Sequence, residues 1–228
     1  MSTAKKKTAV IFDVDDTLYK ELDYRSSGYR VVANHFAAAC KMTPDRLCEL
    51  MEQNPAEAFE NIRDLAKANS IDIPVELQLL IYRTHRPDIQ LSEETEDVLR
   101  YLCKQGYELG VITDGRVFGQ LNKIAALGLD KYINPILTLA TVLSGTDKHS
   151  QEPFEYMQSK FDDGTAMVYV GDNPAKDFHH PNLMGWKTIM LRDNSNRNVH
   201  HQRIEEFPAD FRPQVIIDSI TELKTIFK

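Results

Sequence analysis

No stretch of this sequence is apolar for anything near the roughly 18 residues that a membrane-spanning helix needs. Behind the basic start Lys5-Lys6-Lys7 the run Thr8–Phe12, apolar from Ala9 on, is only five residues long and stops at Asp13, too short for a secretory signal. A cytoplasmic protein without a membrane partner is expected. Cysteine is scarce. Cys40, Cys48 and Cys103 are odd in number, widely spaced and without a metal-like pair, which fits reduced intracellular thiols with structural roles. The histidines supply no zinc site either: His179-His180 and His200-His201 are adjacent pairs whose rings diverge on a helix, with no His-x-x-x-His spacing and no cysteine partner. Positive charge is in deficit. The formal net charge of -7 disfavours nucleic acid as a partner.

What is present suits one large α/β domain, or a core domain with a smaller lid: 228 residues, of which 42% are apolar. Residues 1–7 read as a polar tail and 8–12 as a short buried strand. Thr17 to Tyr24 is too short and mixed for a clear element. From Ser26 the periodicity is helical, through Tyr29, Val32 and Phe36. Thr43-Pro44 reads as a cap followed by the first helical position, Pro55 opens another helix, and Pro74 a fourth with Leu77, Leu80 and Ile81 inward. No strand is expected between Tyr24 and Pro87, and such a block is too long for an ordinary crossover. It is read as an inserted helical cap. The expected division is a core of residues 1–20 and 90–228 and a cap of 21–89.

Beyond the cap, strands and helices alternate. Ser92 caps a helix stopped by Gly106, Glu108–Thr113 is a strand, Val117–Leu127 a helix, and Ile136–Leu139 a short strand. Pro153–Ser159 is helical. Ala166–Val170, Lys187–Leu191 and Val215–Ile217 are further strands. The alternation predicts an α/β fold with a parallel sheet covered on both faces. Residues 192–212, rich in Asn, His and Arg, read as a long surface excursion.

Charge collects where strands end. Asp13, Asp15 and Asp16 fall within four residues of the first strand's end, Thr113-Asp114 closes the second, and Gly171-Asp172 closes the fourth, with Asp177 at the start of the next helix. Ligands of open parallel sheets bind at those carboxyl ends. Carboxylates so close repel unless a cation or a shared proton offsets them, and an oxygen-rich set suits Mg²⁺. A polar turn, with Asp16 capping and Thr17 bonding locally, is the plainer alternative for the first cluster taken alone.

Asp13-Val14-Asp15-Asp16-Thr17, Thr113-Asp114-Gly115, Lys148 and Gly171-Asp172-Asn173-Pro174-Ala175-Lys176-Asp177 resemble, in order and spacing, the four motifs of the haloacid dehalogenase-like hydrolases. The resemblance runs from Val10 to Leu223. It implies a Rossmann-like core with an α-helical cap and a Mg²⁺-dependent phosphatase. Asp13 matches the nucleophile that becomes a phosphoaspartate, and Asp15 the general acid and base. Thr113 and Lys148 match the groups that hold the phosphoryl oxygens. Asp172 matches a Mg²⁺ ligand, together with Asp13 and the backbone carbonyl of Asp15. Asp177 matches the acid that supports the metal or the lysine, Thr17 a residue that steadies the first loop, and Asp114 and Asn173 supporting members of their motifs. The family pattern has proline after the lysine where this chain has His149. Lys176 is the other candidate for the lysine.

Asp15 separates this chain from the dehalogenase branch, since a halide needs no proton on leaving. A phosphomutase, or a binding protein using the same fold, remains as the alternative. The expected substrate is a small phosphorylated metabolite, a nucleoside monophosphate or a sugar phosphate. Arg25, Arg30, Arg63 and Arg86 of the cap, and Arg116 after the second motif, are candidates to select it by clamping an anionic group. A monomer or homodimer is expected.

Overall fold

The computed structural model describes residues 7–228. The polar tail expected over residues 1–7 therefore lies, apart from Lys7, outside the described residues. The apolar run Thr8–Phe12 forms strand β1, and Ala9, Val10, Ile11 and Phe12 are wholly buried, as an interior parallel strand requires. It is followed in chain order by β2 (Glu108–Thr113), β3 (Thr138–Ala140), β4 (Ala166–Gly171), β5 (Lys187–Leu191) and β6 (Val215–Ile217). These six make one sheet in the order β3-β2-β1-β4-β5-β6, with every neighbouring pair parallel. The fold is α/β and Rossmann-like, as the alternation predicts.

The order reverses between β1 and β4. The chain runs outward from β1 through β2 to β3, then crosses to the other side of β1. Such a switch point opens a crevice at the carboxyl ends of the two strands that part there. The register aligns those ends: Phe12 lies opposite Val170, and the Asp13 N–H donates to the Val170 carbonyl at 2.9 Å. Asp13 and Asp172 thus emerge together.

The helices are α1 (Glu21–Phe36), α2 (Pro44–Gln53), α3 (Ala58–Ala68), α4 (Val75–Thr84), α5 (Glu93–Lys104), α6 (Val117–Ala126), α7 (Glu152–Gln158), α8 (His179–Leu183) and α9 (Leu223–Ile226). By its packing the chain divides into two compact units, one formed by the residues up to Glu21 with Gln90–Lys228, the other by Leu22–Ile89. The second unit is helical and has its own core of Tyr29, Val32, Ala33, Leu47, Met51 and Ile62. Thr43 and Ser92 cap α2 and α5 as read, accepting from the backbone of Arg46 and Thr95 at 3.3 and 3.1 Å.

Several local expectations are corrected. Helix α1 starts at Glu21, five residues before the first clear periodicity, because the Asp16 carboxylate accepts its N–H at 3.0 Å and so opens the helix. Strand β3 begins at Thr138, since Asn134 caps a 3₁₀ turn over Pro135–Leu137 that leaves Ile136 exposed. In α4 the buried residue is Gln78, whose side chain donates to the Ile73 carbonyl, while Leu77 and Leu80 are exposed. The helix is turned relative to its apolar stripe.

That rotation is measurable. Ile62→Ala should lower stability by about 2–5 kcal/mol in urea unfolding, whereas Leu80→Ala should change it by no more than about 0.5 kcal/mol. Equal losses would show that Leu80 is a core residue and that α4 is wrongly turned.

Candidate active site

Asp13 leaves β1 almost without exposed surface and meets the Lys148 ammonium at 2.9 Å. The same ammonium lies 2.6 Å from Asp177 Oδ1 and donates to Tyr169 Oη at 3.2 Å. Lys148 has no exposure at all. Of the two lysines weighed for this place, Lys176 is partly exposed and pairs with Asp114 at 3.3 Å. The loop that carries Lys148 lacks the usual proline but is tied at two points: the Lys148 N–H donates to Asp114 Oδ1 at 3.1 Å, and the His149 N–H to Asp147 Oδ1 at 2.9 Å. Asp114 also accepts from Thr141 Oγ1 at 2.7 Å, joining the ends of β2 and β3.

Asp177 is an N–H acceptor within its own motif. Its Oδ2 takes the backbone N–H of Asp172 and of Asn173, at 3.1 and 2.8 Å. It lies in the turn before α8 rather than in the helix itself. Gly171 makes that turn possible, because a Cβ there would fall 2.5 Å from Asp177 Oδ2. Carboxylate oxygens of Asp13, Asp172 and Asp177 lie within 4.8 Å of one another, all three residues buried. The Asp15 carboxylate is not among them.

Asp15 faces α6. It accepts from Tyr19 Oη at 2.5 Å, from Gln120 Nε2 at 2.9 Å, and from Lys123 Nζ at 2.8 Å on each oxygen. Gln120 also takes the Thr113 hydroxyl on its Oε1 at 3.3 Å, so the first and second motifs meet on one amide. Asp16 adopts a left-handed φ of 56°, and its carboxylate receives the Glu21 and Val199 N–H groups. The Thr17 N–H lies 3.4 Å from the Val14 carbonyl, and its buried hydroxyl has no hydrogen-bond partner among the described residues.

Residues 192–212 do not form a mere surface excursion. Asn198 Nδ2 donates to Asp172 Oδ2 and Gln202 Nε2 to the Asp172 carbonyl, each at 2.9 Å. His200, His201 and Phe207 join Asp114, Asn173 and Lys176 around an open pocket of about 590 Å³, a size suited to a small metabolite. Tyr19, Gln120, Lys123, Asn198 and Gln202 are not among the candidates that the sequence offers: no motif or spacing marks them, and only the fold that turns them inward reveals them.

Of the candidate substrate-selecting arginines, Arg25, Arg30, Arg63 and Arg86 belong to the helical unit and Arg116 to the other. Arg25 pairs with Glu52 at 3.5 Å, Arg30 with Asp45, and Arg63 with Asp64 at 2.9 Å. Arg30 and Arg86 line a cleft of the helical unit. Arg116 is exposed before α6.

Burial pushes the Asp13 carboxyl up to about 6, with Lys148 opposing the shift and Asp177 adding to it. Burial and the charges of Asp177 and Asp13 raise Asp172 well above the carboxylate range. Burial alone would lower Lys148, but Asp13 and Asp177 outweigh it and keep the ammonium charged. Asp15 is the opposite case to Asp172. Burial would raise it, but Lys123, Tyr19 and Gln120 together hold it below its ordinary value. Three buried carboxylates against one buried ammonium leave negative charge uncompensated at Asp13, Asp172 and Asp177. All the donors are oxygen, so the set fits a hard divalent cation.

A cation bound there must displace the protons that the raised carboxyls hold. Calorimetric titration with magnesium in buffers of different ionisation enthalpy should show net proton release near pH 6, with affinity falling as pH drops from about 7 to about 5.5. Affinity independent of pH, with no proton release, would mean that these carboxylates are not the ligands.

The profile of the haloacid dehalogenase-like hydrolases matches residues 10–191. The chain is 25% identical to a glyceraldehyde 3-phosphate phosphatase of Methanopyrus kandleri, over 94% of this chain and 97% of that protein. It is 22% identical to a ribulose-1,5-bisphosphate 5-phosphatase of Halopiger xanaduensis, over 95% and 97%. Among solved structures, a magnesium-bound HAD-type hydrolase of Bacillus subtilis has a TM-score of 0.65 at 18% identity, over 98% of this chain and all of that one. With the profile spanning most of the chain and the same fold behind it, this protein belongs to the haloacid dehalogenase-like hydrolases.

Proposed function

We propose that this enzyme, a phosphatase, hydrolyses the phosphate monoester of a small phosphorylated sugar with Asp13 as the nucleophile. The observation that carries the reading is the setting of Asp13: a buried carboxylate at the switch point of the sheet, with the Lys148 ammonium on one side and the Asp172–Asp177 cluster beside it. A phosphate dianion approaching a carboxylate is repelled; the Lys148 ammonium opposes that repulsion, and a cation held by the carboxylate cluster would supply the rest of the opposing charge. Sugar phosphate is preferred to nucleoside monophosphate because the relatives are named for a triose phosphate and a pentulose bisphosphate.

In the first step an Asp13 oxygen forms a bond to phosphorus and the ester P–O bond breaks. Asp15 gives its proton to the leaving oxygen, which departs as the alcohol. In the second step water attacks phosphorus, Asp15 takes its proton, and the acyl phosphate P–O bond breaks to release phosphate and restore Asp13. Lys148 binds phosphoryl oxygens throughout, and the Thr113 hydroxyl joins it by turning from Gln120 Oε1. Asp15 as it stands is the ionised form, suited to the second step. A phosphate dianion beside it favours the protonated form that the first step needs. Asp13, Asp172 and the Asp15 carbonyl would hold Mg²⁺, with Asp177 fixing the turn. The ion would supply charge neutralisation on the phosphoryl group. The helical unit Leu22–Ile89 is assigned the role of a cap that excludes water and favours small substrates. Arg86 and Arg116 are the arginines retained as substrate-selecting, since Arg25, Arg30 and Arg63 are taken by Glu52, Asp45 and Asp64.

A panel of phosphorylated metabolites assayed for phosphate release with Mg²⁺ tests this reading. Sugar phosphates should be turned over faster than nucleoside monophosphates, and chelation should abolish the activity. Asp13→Asn should lose on the order of 10⁴-fold or more in kcat with the fold intact. Asp15→Asn should lose about 10²- to 10⁴-fold, most on esters with poor leaving groups. Wild-type phosphate release from Asp13→Asn would remove Asp13 as nucleophile, and interconversion of sugar phosphates without release would make the enzyme a mutase.

A further inference from the structure

Helix α6 is amphipathic the wrong way round. Its buried face carries Gly119, Gln120 and Lys123, while Phe118 and Leu121 are 67% and 43% exposed. A glutamine and a lysine in a sheet-facing position cost desolvation that apolar residues would avoid, and a buried ion pair is often replaceable by well-packed apolar side chains without loss of stability. Folding alone therefore gives little reason for this face.

Both side chains end on Asp15. Lys123 spans its two oxygens at 2.8 Å each, and Gln120 Nε2 donates to Oδ2 at 2.9 Å and to the Asp114 carbonyl at 2.7 Å. The Gln120 carbonyl oxygen takes the Thr113 hydroxyl. The backbone makes room for this contact. Gly115 has φ 134°, a conformation that L side chains rarely adopt, and a Cβ there would lie 2.5 Å from Gln120 Nε2. One turn of helix thus links the first-motif acid to the second-motif threonine and to Asp114, just past the end of β2. Tyr19 completes the cage from the loop of the first motif.

We propose that Gln120 and Lys123 are positioning residues for the hydrolytic reaction: together they fix the Asp15 carboxylate in the orientation from which it exchanges a proton with the leaving oxygen and the attacking water. The inference rests on the phosphatase reading. A misplaced acid costs most where the leaving group most needs a proton. Loss of the cage should therefore be read in leaving-group dependence rather than in overall activity.

The experiment compares kcat and KM for alkyl phosphates, including sugar phosphates, and for aryl phosphates of graded leaving-group acidity. The proteins are the wild type, Lys123→Met, Gln120→Leu, Lys123→Arg and Asp15→Asn, with the Asp15→Asn/Lys123→Met double variant. Lys123→Met and Gln120→Leu should each lose about 10-fold or more in kcat on alkyl esters and far less on the most activated aryl ester, with little change in KM. Lys123→Arg should keep more activity than Lys123→Met. In the double variant Lys123→Met should add almost nothing to the loss from Asp15→Asn. Equal losses on all esters, or a full multiplicative loss in the double variant, would overturn the proposal and leave the cage as a fold element. Should Lys123→Met fail to fold, Gln120→Leu and Lys123→Arg decide on the same leaving-group series. A wild-type enzyme that releases phosphate from no ester would overturn the phosphatase reading first and this inference with it. Normal wild-type turnover with unaltered variants would overturn the inference alone.

Discussion

The buried ammonium of Lys148 is the contact on which the site depends. It lies 2.9 Å from Asp13 and 2.6 Å from Asp177, with no exposed surface. Carboxylate oxygens of Asp13, Asp172 and Asp177 sit within 4.8 Å of one another, and two unit charges at that separation repel by about 3 kcal/mol even at an effective dielectric of about 20. One lysine cannot cancel three such charges. The remaining imbalance shows in the raised Asp13 and Asp172 carboxyls, and it suits the cluster to a divalent cation. The cost of burying Lys148 is offset by a geometry in which two of its three neighbours have a second tie: Tyr169 to the Ile112 carbonyl, Asp177 to two backbone N–H groups.

The sheet order supplies the geometry. Because β1 and β4 are neighbours and part company in the chain, Asp13 and Asp172 leave the sheet side by side. The tight turn after β4 then brings Asp177 back against Gly171. Opposite that acidic half, Asp15 is caged by Tyr19, Gln120 and Lys123. Two carboxylates two residues apart are thereby placed in different electrostatic surroundings. Asp13 is pushed up and Asp15 held down; a cation beside Asp13 and a phosphate dianion beside Asp15 would each act against that order.

Much of this was legible in the sequence, for physical reasons. The apolar strands are short and uninterrupted, and each of the polar ends at Asp13, Thr113 and Asp172 follows such a run, so their convergence follows from parallel topology. Lys148 was legible only through the order of the motifs. Gln120 and Lys123 were not, because the exposed Phe118 and Leu121 set the apparent apolar face of α6 and the buried face is polar. Leu77 and Leu80 misled in the same way about α4, where Gln78 is the buried residue. Residues 192–212 carry the composition of a solvated loop. Their contacts with Asp172 depend on backbone placement that no periodicity records.

The central claim is that the Asp13 carboxylate becomes phosphorylated during turnover. An acyl phosphate is reduced by borohydride to an alcohol, while a free carboxylate is not. The enzyme should therefore be quenched with borohydride during steady-state hydrolysis of its best sugar phosphate, digested, and sequenced by mass spectrometry. The account predicts homoserine at position 13, dependent on substrate and on Mg²⁺ and absent without turnover. Reduction at another carboxylate, or none while phosphate is being released, would contradict it.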